Sequence, residues 1–219
     1  MSDVTADAAP PPVDTDGADT AAAPAARKRP RPGERRVQIL QTLASMLEQP
    51  GAERITTAAL AARLEVSEAA LYRHFASKAQ MFEGLIDFIE SSVFTLINQI
   101  TEREGSGAAQ AQKMVTVLLQ FGEKNPGMTR VMVGDALVFE HERLVARMNQ
   151  FFDRVESQLR VSLRSAAEAE GSSTPTVDAQ ALASALVSLV IGRLHRYARS
   201  GFKRLPTEHL EQALAHLVR

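Results

Sequence analysis

Residues 55–82, which read ITTAALAARLEVSEAALYRHFASKAQMF, restrict the fold more than any other part of the sequence. Their apolar spacing predicts a helix, a short turn and a second helix, in the order and lengths of a helix-turn-helix. In such motifs the second helix enters the major groove of DNA. The stretch therefore predicts a DNA-binding protein.

Charge is distributed unevenly along the chain. Residues 1–26 contain five Asp and no Lys or Arg, whereas residues 27–78 contain ten Lys and Arg against five Glu, a net charge of +5. Residues 79–219 contain fifteen basic and sixteen acidic residues, so the whole chain carries only −1. The positive charge coincides with the predicted helix-turn-helix, as a phosphate-binding surface requires.

Composition excludes several classes of protein. The 219 residues include no Cys, which excludes disulfides, thiolate zinc sites and cysteine nucleophiles. No apolar run approaches the roughly 18–20 residues of a membrane span, and the acidic N-terminus lacks the pattern of a signal peptide. We therefore expect a soluble, cytoplasmic protein that does not enter the membrane.

The N-terminal 33 residues differ from the rest, since they are mainly Ala, Pro, Asp and Thr. Such a composition cannot bury enough apolar surface to fold, so we predict a disordered tail at 1–33. Its end, residues 27–33, is a basic arm that can reach the DNA backbone or minor groove, or simply keeps the chain soluble. We predict a helix-turn-helix domain at 34–80 and a larger domain at 81–219.

From residue 34 onward the apolar spacing is helical, which predicts an all-α fold. The first helix is expected to turn one apolar side inward: Val37, Leu40, Leu43, Ala44 and Leu47. Later helices are predicted from Lys78 to about residue 101 and over 108–124, 126–139, 140–170, 178–200 and 207–218. The helix that begins at Lys78 carries a wide apolar stripe: Phe82, Leu85, Ile86, Ile89, Val93 and Ile97.

The two motif helices begin with residues that suit DNA phosphates and bases. Thr56 and Thr57 offer hydroxyl and backbone N–H groups to a phosphate, although either can simply cap the helix. Ser67 is the expected cap of the second helix. Its first turn adds three residues that can reach bases: Glu68, Ala69 and Ala70. The alanines can touch thymine methyl groups, while Glu68 either accepts from a cytosine amino group or stabilises the helix start by its charge.

The LYRHF sequence at residues 71–75 follows this turn. Four polar-tipped residues there and just beyond suit backbone phosphates: Tyr72, Arg73, His74 and Lys78. Leu71 and Phe75 are four residues apart on one helix face and are expected in the core.

This pattern, with Leu-Ala before the turn and Ser-Lys and Met-Phe after it, resembles the N-terminal domain of the TetR family of regulators. The resemblance implies homodimers with a three-helix DNA-binding domain and a larger helical domain for dimerisation and control. Glu65 stands where the family usually has Gly between the motif helices. If φ is positive there, a residue with a Cβ costs about 1 kcal/mol.

Further segments resemble the nucleoid occlusion factors of this family: LIDFIE at 85–90, FGEKNPGMTR at 121–130 and RSGFK at 199–203. That resemblance implies binding to palindromic chromosomal sites, with up to two dimers on one site. It also implies that the DNA-bound protein binds the C-terminal tail of the division protein FtsZ and blocks septum assembly over the nucleoid.

The resemblance places the FtsZ groove between the helix that begins at Lys78 and the next helix. Three residues are implied contacts: Phe88, Lys124 and Asn125. Ordinary packing of Phe88 and ordinary helix termination by the other two residues are the alternative. Leu96 and Gln120 stand where the group has Arg and Gly, so a charge is lost and bulk is added beside the groove.

Dimerisation is assigned by the same resemblance to the C-terminal helices. The helix expected over 178–200 has a broad apolar side and small residues that permit close packing: Leu182, Ala183, Ser184, Ala185, Leu186, Ser188, Leu189, Val190 and Leu194. A short final helix adds three leucines: Leu210, Leu214 and Leu217.

Catalysis is not expected, and no cofactor or metal is predicted. The cluster Glu140-His141-Glu142 has adjacent residues that point to different helix faces, so we expect a solvated helix start rather than a metal site. His195 lies at a basic helix end. Two other functions remain open from the sequence: a ligand-controlled TetR-type repressor with an internal pocket, and an architectural DNA-binding protein without a partner.

Overall fold

The computed structural model describes residues 33–49 and 54–218. Within these ranges the chain is helical and has no strand, which confirms the all-α prediction. The helices are α1 (Glu34–Leu47), α2 (Thr57–Arg63), α3 (Glu68–Tyr72), α4 (Lys78–Arg103), α5 (Gly107–Lys124), α6 (Pro126–Met132), α7 (Glu142–Ala169), α8 (Pro175–Arg199) and α9 (Leu210–Leu217). The predicted tail and basic arm lie outside the described residues, except for Gly33.

Four helices start with a hydroxyl cap. The side-chain oxygens of Thr56, Ser67, Ser77 and Ser106 each accept a hydrogen bond from the backbone N–H three residues later, at 3.1–3.3 Å. Each cap satisfies an N–H that a helix start leaves free and contributes about 1 kcal/mol. The predicted caps of the two motif helices are thereby confirmed, with Thr56 rather than Thr57 as the cap of α2.

The predicted helix over 126–139 is wrong. α6 ends at Met132, and Gly134 has a left-handed backbone with φ of 85° before a single 3₁₀ turn at Asp135–Leu137. Glycine adopts that conformation without the steric penalty of a Cβ, so the helix ends here. The chain then changes direction before α7, which starts at Glu142.

α1 turns most of the predicted face inward, since Leu43 and Leu47 are buried and Leu40 and Ala44 pack against the core, but Val37 was predicted wrongly. Val37 is 54% exposed, whereas Ile39, which the pattern missed, is fully buried with Leu43 and Leu47. The reason is tertiary, because α1 packs on both α4 and α6. At Gly127 of α6 an added Cβ would lie 2.1 Å from the carbonyl oxygen of Ala44, so only glycine permits this approach.

The core of the larger predicted domain, residues 81–219, lies along α4, α5, α7 and α8. The predicted stripe of α4 is confirmed, since Phe82, Leu85, Ile86, Ile89, Val93 and Ile97 are at most 1% exposed. α7 packs along α8, and α5 lies against both. Burial of this stripe and its partners is the main stabilising contribution to the fold.

α8 corrects one expectation about the membrane. By length and mean hydropathy, 1.4 over its most apolar window, it is long and apolar enough to cross one. Leu186, Val190 and Leu194 of this helix, however, are at most 1% exposed and belong to the core of the chain. Length and composition do not distinguish a membrane span from a core helix, and here these three apolar residues have partners inside the fold.

Candidate nucleic-acid interface and partner groove

The N-terminus of α2 and the recognition helix α3 meet at one surface. The Thr57 hydroxyl donates a hydrogen bond of 2.5 Å to Oε2 of Glu68. Thr56 is exposed beside it and caps α2. The free N–H groups at two helix starts and the predicted contacts of both helices therefore lie together, a geometry that suits a phosphate.

The first turn of α3 is open to solvent. Ser67, Glu68 and Ala69 are exposed and Ala70 is half-buried, whereas Leu71 behind them is 1% exposed. Small side chains at the exposed positions permit close approach to base edges. Glu68 uses one carboxylate oxygen for Thr57, so its role includes the positioning of a neighbouring side chain.

The far end of α3 presents polar tips to solvent. Tyr72 is 45% exposed, and Arg73 and His74 are also exposed. The His74 carbonyl accepts a hydrogen bond from Nη1 of Arg36, whose guanidinium lies 4.1 Å from the Phe75 ring centroid. Arg36 of α1 thus holds the end of the recognition helix by a hydrogen bond and a cation–π contact.

Sequence reasoning missed this role of Arg36. Its basic neighbourhood was visible in the sequence, but its partner lies 38 residues away. Phe75 itself is 1% exposed, as predicted.

Lys78 is engaged within the protein. Its ammonium pairs with Glu140, and the two side chains are 25% and 9% exposed. The sequence predicted a solvated helix start at Glu140. That prediction is wrong, because the Glu140 carboxylate is shielded from solvent and paired with Lys78. His141 caps α7, because its Nδ1 accepts a hydrogen bond of 3.2 Å from the N–H of Arg143. No three potential metal ligands come together in the part of the chain that the structure describes.

The turn between α2 and α3 has a backbone that favours glycine, the residue that the family usually has at position 65. Glu65 has φ of 55°, in the left-handed region that favours glycine. The N–H of Val66 closes this turn with a bond of 3.0 Å to the carbonyl of Ala61. The turn keeps its geometry despite the side chain.

The partner groove was predicted for the place where α4 packs on α5. Phe88 is 47% exposed, and its ring centroid is 6.1 Å from that of Phe121, which is 8% exposed. Leu96, farther along α4, is 38% exposed, and Gln120 of α5 is also exposed. An aromatic side chain left half open beside a buried aromatic ring suits an apolar anchor of a peptide.

Lys124 is the last residue of α5, three residues after Phe121, and Asn125 is its C-cap. Lys124 is exposed and carries a positive charge at the helix C-terminus. The Asn125 side-chain amide donates a hydrogen bond of 2.8 Å to the carbonyl of Phe121, so one of its two N–H groups already serves the turn into α6. Its side-chain oxygen and its second N–H remain for a peptide backbone.

Ion pairs fix α4 on α7. Arg143 bonds Glu83 at 2.8 Å, and Arg147 bonds Glu90 at 2.8 Å and Asp87 at 2.5 Å. The hydrogen bonding that Arg147 donates to Glu90 is the largest cause that raises the pKa of Arg147 above its ordinary value, with Asp87 adding to it. Asp87 directly precedes Phe88, so these pairs hold the helix that forms one wall of the groove.

One face of α8 is exposed and built mainly of small residues: Val177, Ala181, Ser184, Ala185, Ser188, Ile191 and Gly192. Val161 of α7 is 67% exposed as well. Small side chains allow two helices to approach closely. In the final helix Leu210 and Leu214 are buried, while Leu217 is 45% exposed.

Comparison with known proteins agrees with this geometry. Residues 39–85 match the family described as bacterial regulatory proteins of the TetR family, and residues 108–219 match the tetracyclin repressor-like C-terminal domain of the SlmA-like type. A TetR-like transcriptional regulator from Rhodococcus sp. RHA1 has a TM-score of 0.66 at 19% identity, over 86% of this chain and 97% of that one. The FadR regulator of Bacillus subtilis, solved with stearoyl-CoA, also has a TM-score of 0.66, at 12% identity over 83% of this chain and 97% of that chain.

Two relatives found by sequence have a much higher identity to this chain than these solved structures. The nucleoid occlusion factor SlmA of Photobacterium profundum is 53% identical over 178 residues, which cover 81% of this chain and 90% of the relative. The nucleoid occlusion factor SlmA of Vibrio cholerae is 52% identical over 184 residues, which cover 84% and 93%.

The fold and the N-terminal match define a TetR-type regulator, a DNA-binding protein rather than an enzyme. Within that class, the chain belongs to the family of the nucleoid occlusion factor SlmA. DNA binding and assembly as a dimer follow from this membership.

Proposed function

We propose that this protein is a nucleoid occlusion factor that binds palindromic chromosomal sites as a dimer and, when DNA-bound, binds the C-terminal tail of FtsZ. Septum assembly over the nucleoid is thereby blocked. The protein acts in the cytoplasm, on the nucleoid. The observation that carries the proposal is the half-exposed Phe88 ring against buried Phe121, with the exposed cation of Lys124 three residues after Phe121 on α5.

DNA binding and partner binding are assigned to different predicted domains. Residues 34–80 bind DNA, through backbone contacts at the starts of α2 and α4 and the end of α3 and through base contacts from the first turn of α3. Residues 81–219 supply the dimer, through the small-residue face of α8, and the groove between α4 and α5. A two-fold axis through the dimer matches a palindromic site.

Charge and shape both support an FtsZ tail as the occupant. Phe88 offers an apolar contact, while Lys124 attracts an acidic peptide and the side-chain oxygen of Asn125 accepts from a peptide N–H. Leu96 enlarges the apolar wall and removes a charge relative to the group, and Gln120 narrows the opening. These two substitutions shift recognition toward apolar residues of the tail.

Fluorescence anisotropy of a labelled FtsZ C-terminal peptide tests the proposal. The full chain is titrated alone and with a palindromic duplex selected from random DNA with this protein. We expect binding that the duplex strengthens. Phe88→Ala and Lys124→Asp abolish it and leave DNA affinity unchanged.

Val145→Ser is the matched control, since Val145 of α7 is also exposed, at 40%, and lies outside the groove. Normal peptide binding by Phe88→Ala would contradict the groove assignment. No peptide binding by the wild type at high micromolar protein would contradict the FtsZ function and favour a ligand-controlled repressor.

A further inference from the structure

A second recess lies away from the groove of α4 and α5. It is a cleft of about 500 Å³ between the 3₁₀ turn after α6 and the end of α8. Its lining residues are Arg130, Asp135, Val138, Phe139, His195 and Arg199. None of them belongs to the proposed DNA-contacting or FtsZ-contacting residues.

The cleft has unused binding capacity for an anion. Arg130 lies with its guanidinium 5.3 Å from the Phe202 ring centroid, and its Nε is buried without a hydrogen-bond partner among the described residues. Because Nε itself is enclosed, a carboxylate in the cleft would be attracted by the charge of the guanidinium rather than bond Nε. Arg199 adds a second cation and His195 a further donor, against the single carboxylate of Asp135.

Apolar side chains form the lip of the cleft. Val138 is 68% exposed and Phe139 is 65% exposed, although both are large and adjacent in sequence. The Arg54 guanidinium lies 6.0 Å from the Phe139 ring centroid. Exposed aromatic residues combined with arginines are typical of the centres of protein interfaces.

We propose that this cleft is a second docking site, which binds an acidic segment of a partner protein. The segment places a carboxylate on Arg130 and Arg199, and an aliphatic or aromatic side chain on Val138 and Phe139. Charge complementarity selects this occupant, because the lining has two arginines against a single carboxylate. A free inorganic anion would leave the apolar lip exposed to water, whereas a peptide covers both parts.

The position of the cleft gives the docking a consequence for DNA binding. Arg54 lies two residues before Thr56, the cap of α2. An occupant that packs on Phe139 therefore also contacts the segment that leads into the helix-turn-helix. Docking at this site and DNA binding are expected to influence each other reciprocally, since a coupling free energy acts in both directions.

The test uses the full chain, with and without its duplex, and a fluorescein-labelled octapeptide, Gly-Ser-Asp-Glu-Leu-Phe-Ser-Gly. Two control peptides replace Asp-Glu by Asn-Gln or Leu-Phe by Ser-Ser. We expect the first peptide to bind and each control to bind about tenfold more weakly. Phe139→Ser and Arg199→Gln reduce binding of the first peptide by about tenfold or more, whereas Val145→Ser does not.

Both substituted residues are at the surface, so the variants are expected to fold; an unchanged circular dichroism melt checks this. Three results would overturn the proposal: no binding of the octapeptide at millimolar concentration, equal binding by Phe139→Ser, or equal binding of the Asn-Gln peptide. A halved molar mass of Phe139→Ser in light scattering would also overturn it, because a second copy of the chain would then cover the cleft. Phe139→Ser is expected to bind the FtsZ peptide normally. A failure of the octapeptide test therefore counts against the second docking site and not against the proposed FtsZ function.

Discussion

The Thr57 hydroxyl and the Glu68 carboxylate form a hydrogen bond of 2.5 Å that joins the first turns of the two motif helices. The two residues are 11 positions apart and belong to α2 and α3. Glu68 therefore orients Thr57, and through it the start of α2, whether or not it also reads a base.

This relationship predicts non-additive effects on DNA affinity. Thr57→Val and Glu68→Ala each weaken binding to the selected duplex, because each variant removes the bond that holds the start of α2, whose backbone N–H groups are the expected phosphate donors. The double variant is expected to be no worse than the weaker single variant, with a coupling of about 0.5–1.5 kcal/mol. Anisotropy on all four proteins measures the cycle; strictly additive losses would show that the bond has no role in DNA binding.

Tyr72 and His74 are expected to act on the DNA backbone. Tyr72→Ala or His74→Ala then lowers the affinity for all duplexes by a similar factor. For His74 the slope of log affinity against log salt becomes shallower, by up to about 0.9 if its imidazolium neutralises one phosphate. Titrations at several salt concentrations, with the selected duplex and a scrambled one, check this. A loss confined to the selected duplex would instead indicate base readout.

The pairing of Lys78 with Glu140 limits what Lys78 can give to DNA. Glu140→Gln leaves the ammonium without its carboxylate, so a phosphate no longer competes with an ion pair that is largely shielded from solvent. We expect several-fold tighter DNA binding and a salt slope steeper by up to about 0.9. Glu142→Gln, two residues on at the start of α7, is the control. An unchanged slope in Glu140→Gln would mean that Lys78 does not contact phosphate.

Glu65 carries backbone strain that glycine would relieve. Glu65→Gly removes a Cβ from a residue at φ 55°, although it also makes the unfolded chain more flexible. The net expectation is a free energy of unfolding higher by up to about 1 kcal/mol. Gln99→Gly, on the exposed side of α4 and inside the helix, should lower it by up to about 1 kcal/mol. Urea denaturation of both variants decides; destabilisation by Glu65→Gly would show that the side chain's contacts outweigh the strain.

Tyr197 is expected to make the free energy of unfolding fall at alkaline pH. Its hydroxyl donates a 3.1 Å hydrogen bond to the carbonyl of Glu123, and burial, followed by the charges of Glu123 and Glu48, raises its pKa above the ordinary value of 10.0. The folded state therefore holds this proton more tightly than the unfolded state. Its stabilising contribution is complete below pH 10 and is lost as the pH rises through the folded-state pKa.

Urea denaturation between pH 8 and pH 11 checks the sign. The wild type should lose more stability above pH 10 than Tyr197→Phe, which has no hydroxyl to titrate. Below pH 10 the variant should be less stable by about 1 kcal/mol, the typical net contribution of one hydrogen bond. Parallel curves for the two proteins over the alkaline range would contradict the link to Tyr197.

The sequence by itself determined the local structure and the class of protein. Thr56, Ser67 and Ser77 cap helices because a hydroxyl bonds an N–H only three residues away. The apolar stripe of α4 follows from the period of 3.6 residues. The left-handed backbone of Glu65 was indicated only by the resemblance, because the family usually has Gly at this position. The caps and the stripe depend on neighbours in sequence, so a pattern suffices to predict them.

Only the tertiary structure decided which groups remain available for binding. Ile39 rather than Val37 is buried because α1 packs on α4 and α6. Lys78 is paired because Glu140, 62 residues away, lies beside it, and Arg36 holds the His74 carbonyl 38 residues away. The cleft around Arg130 brings α6, the turn after it and the end of α8 together. These relationships are set by the packing of helices distant in sequence, which no local spacing of residues encodes.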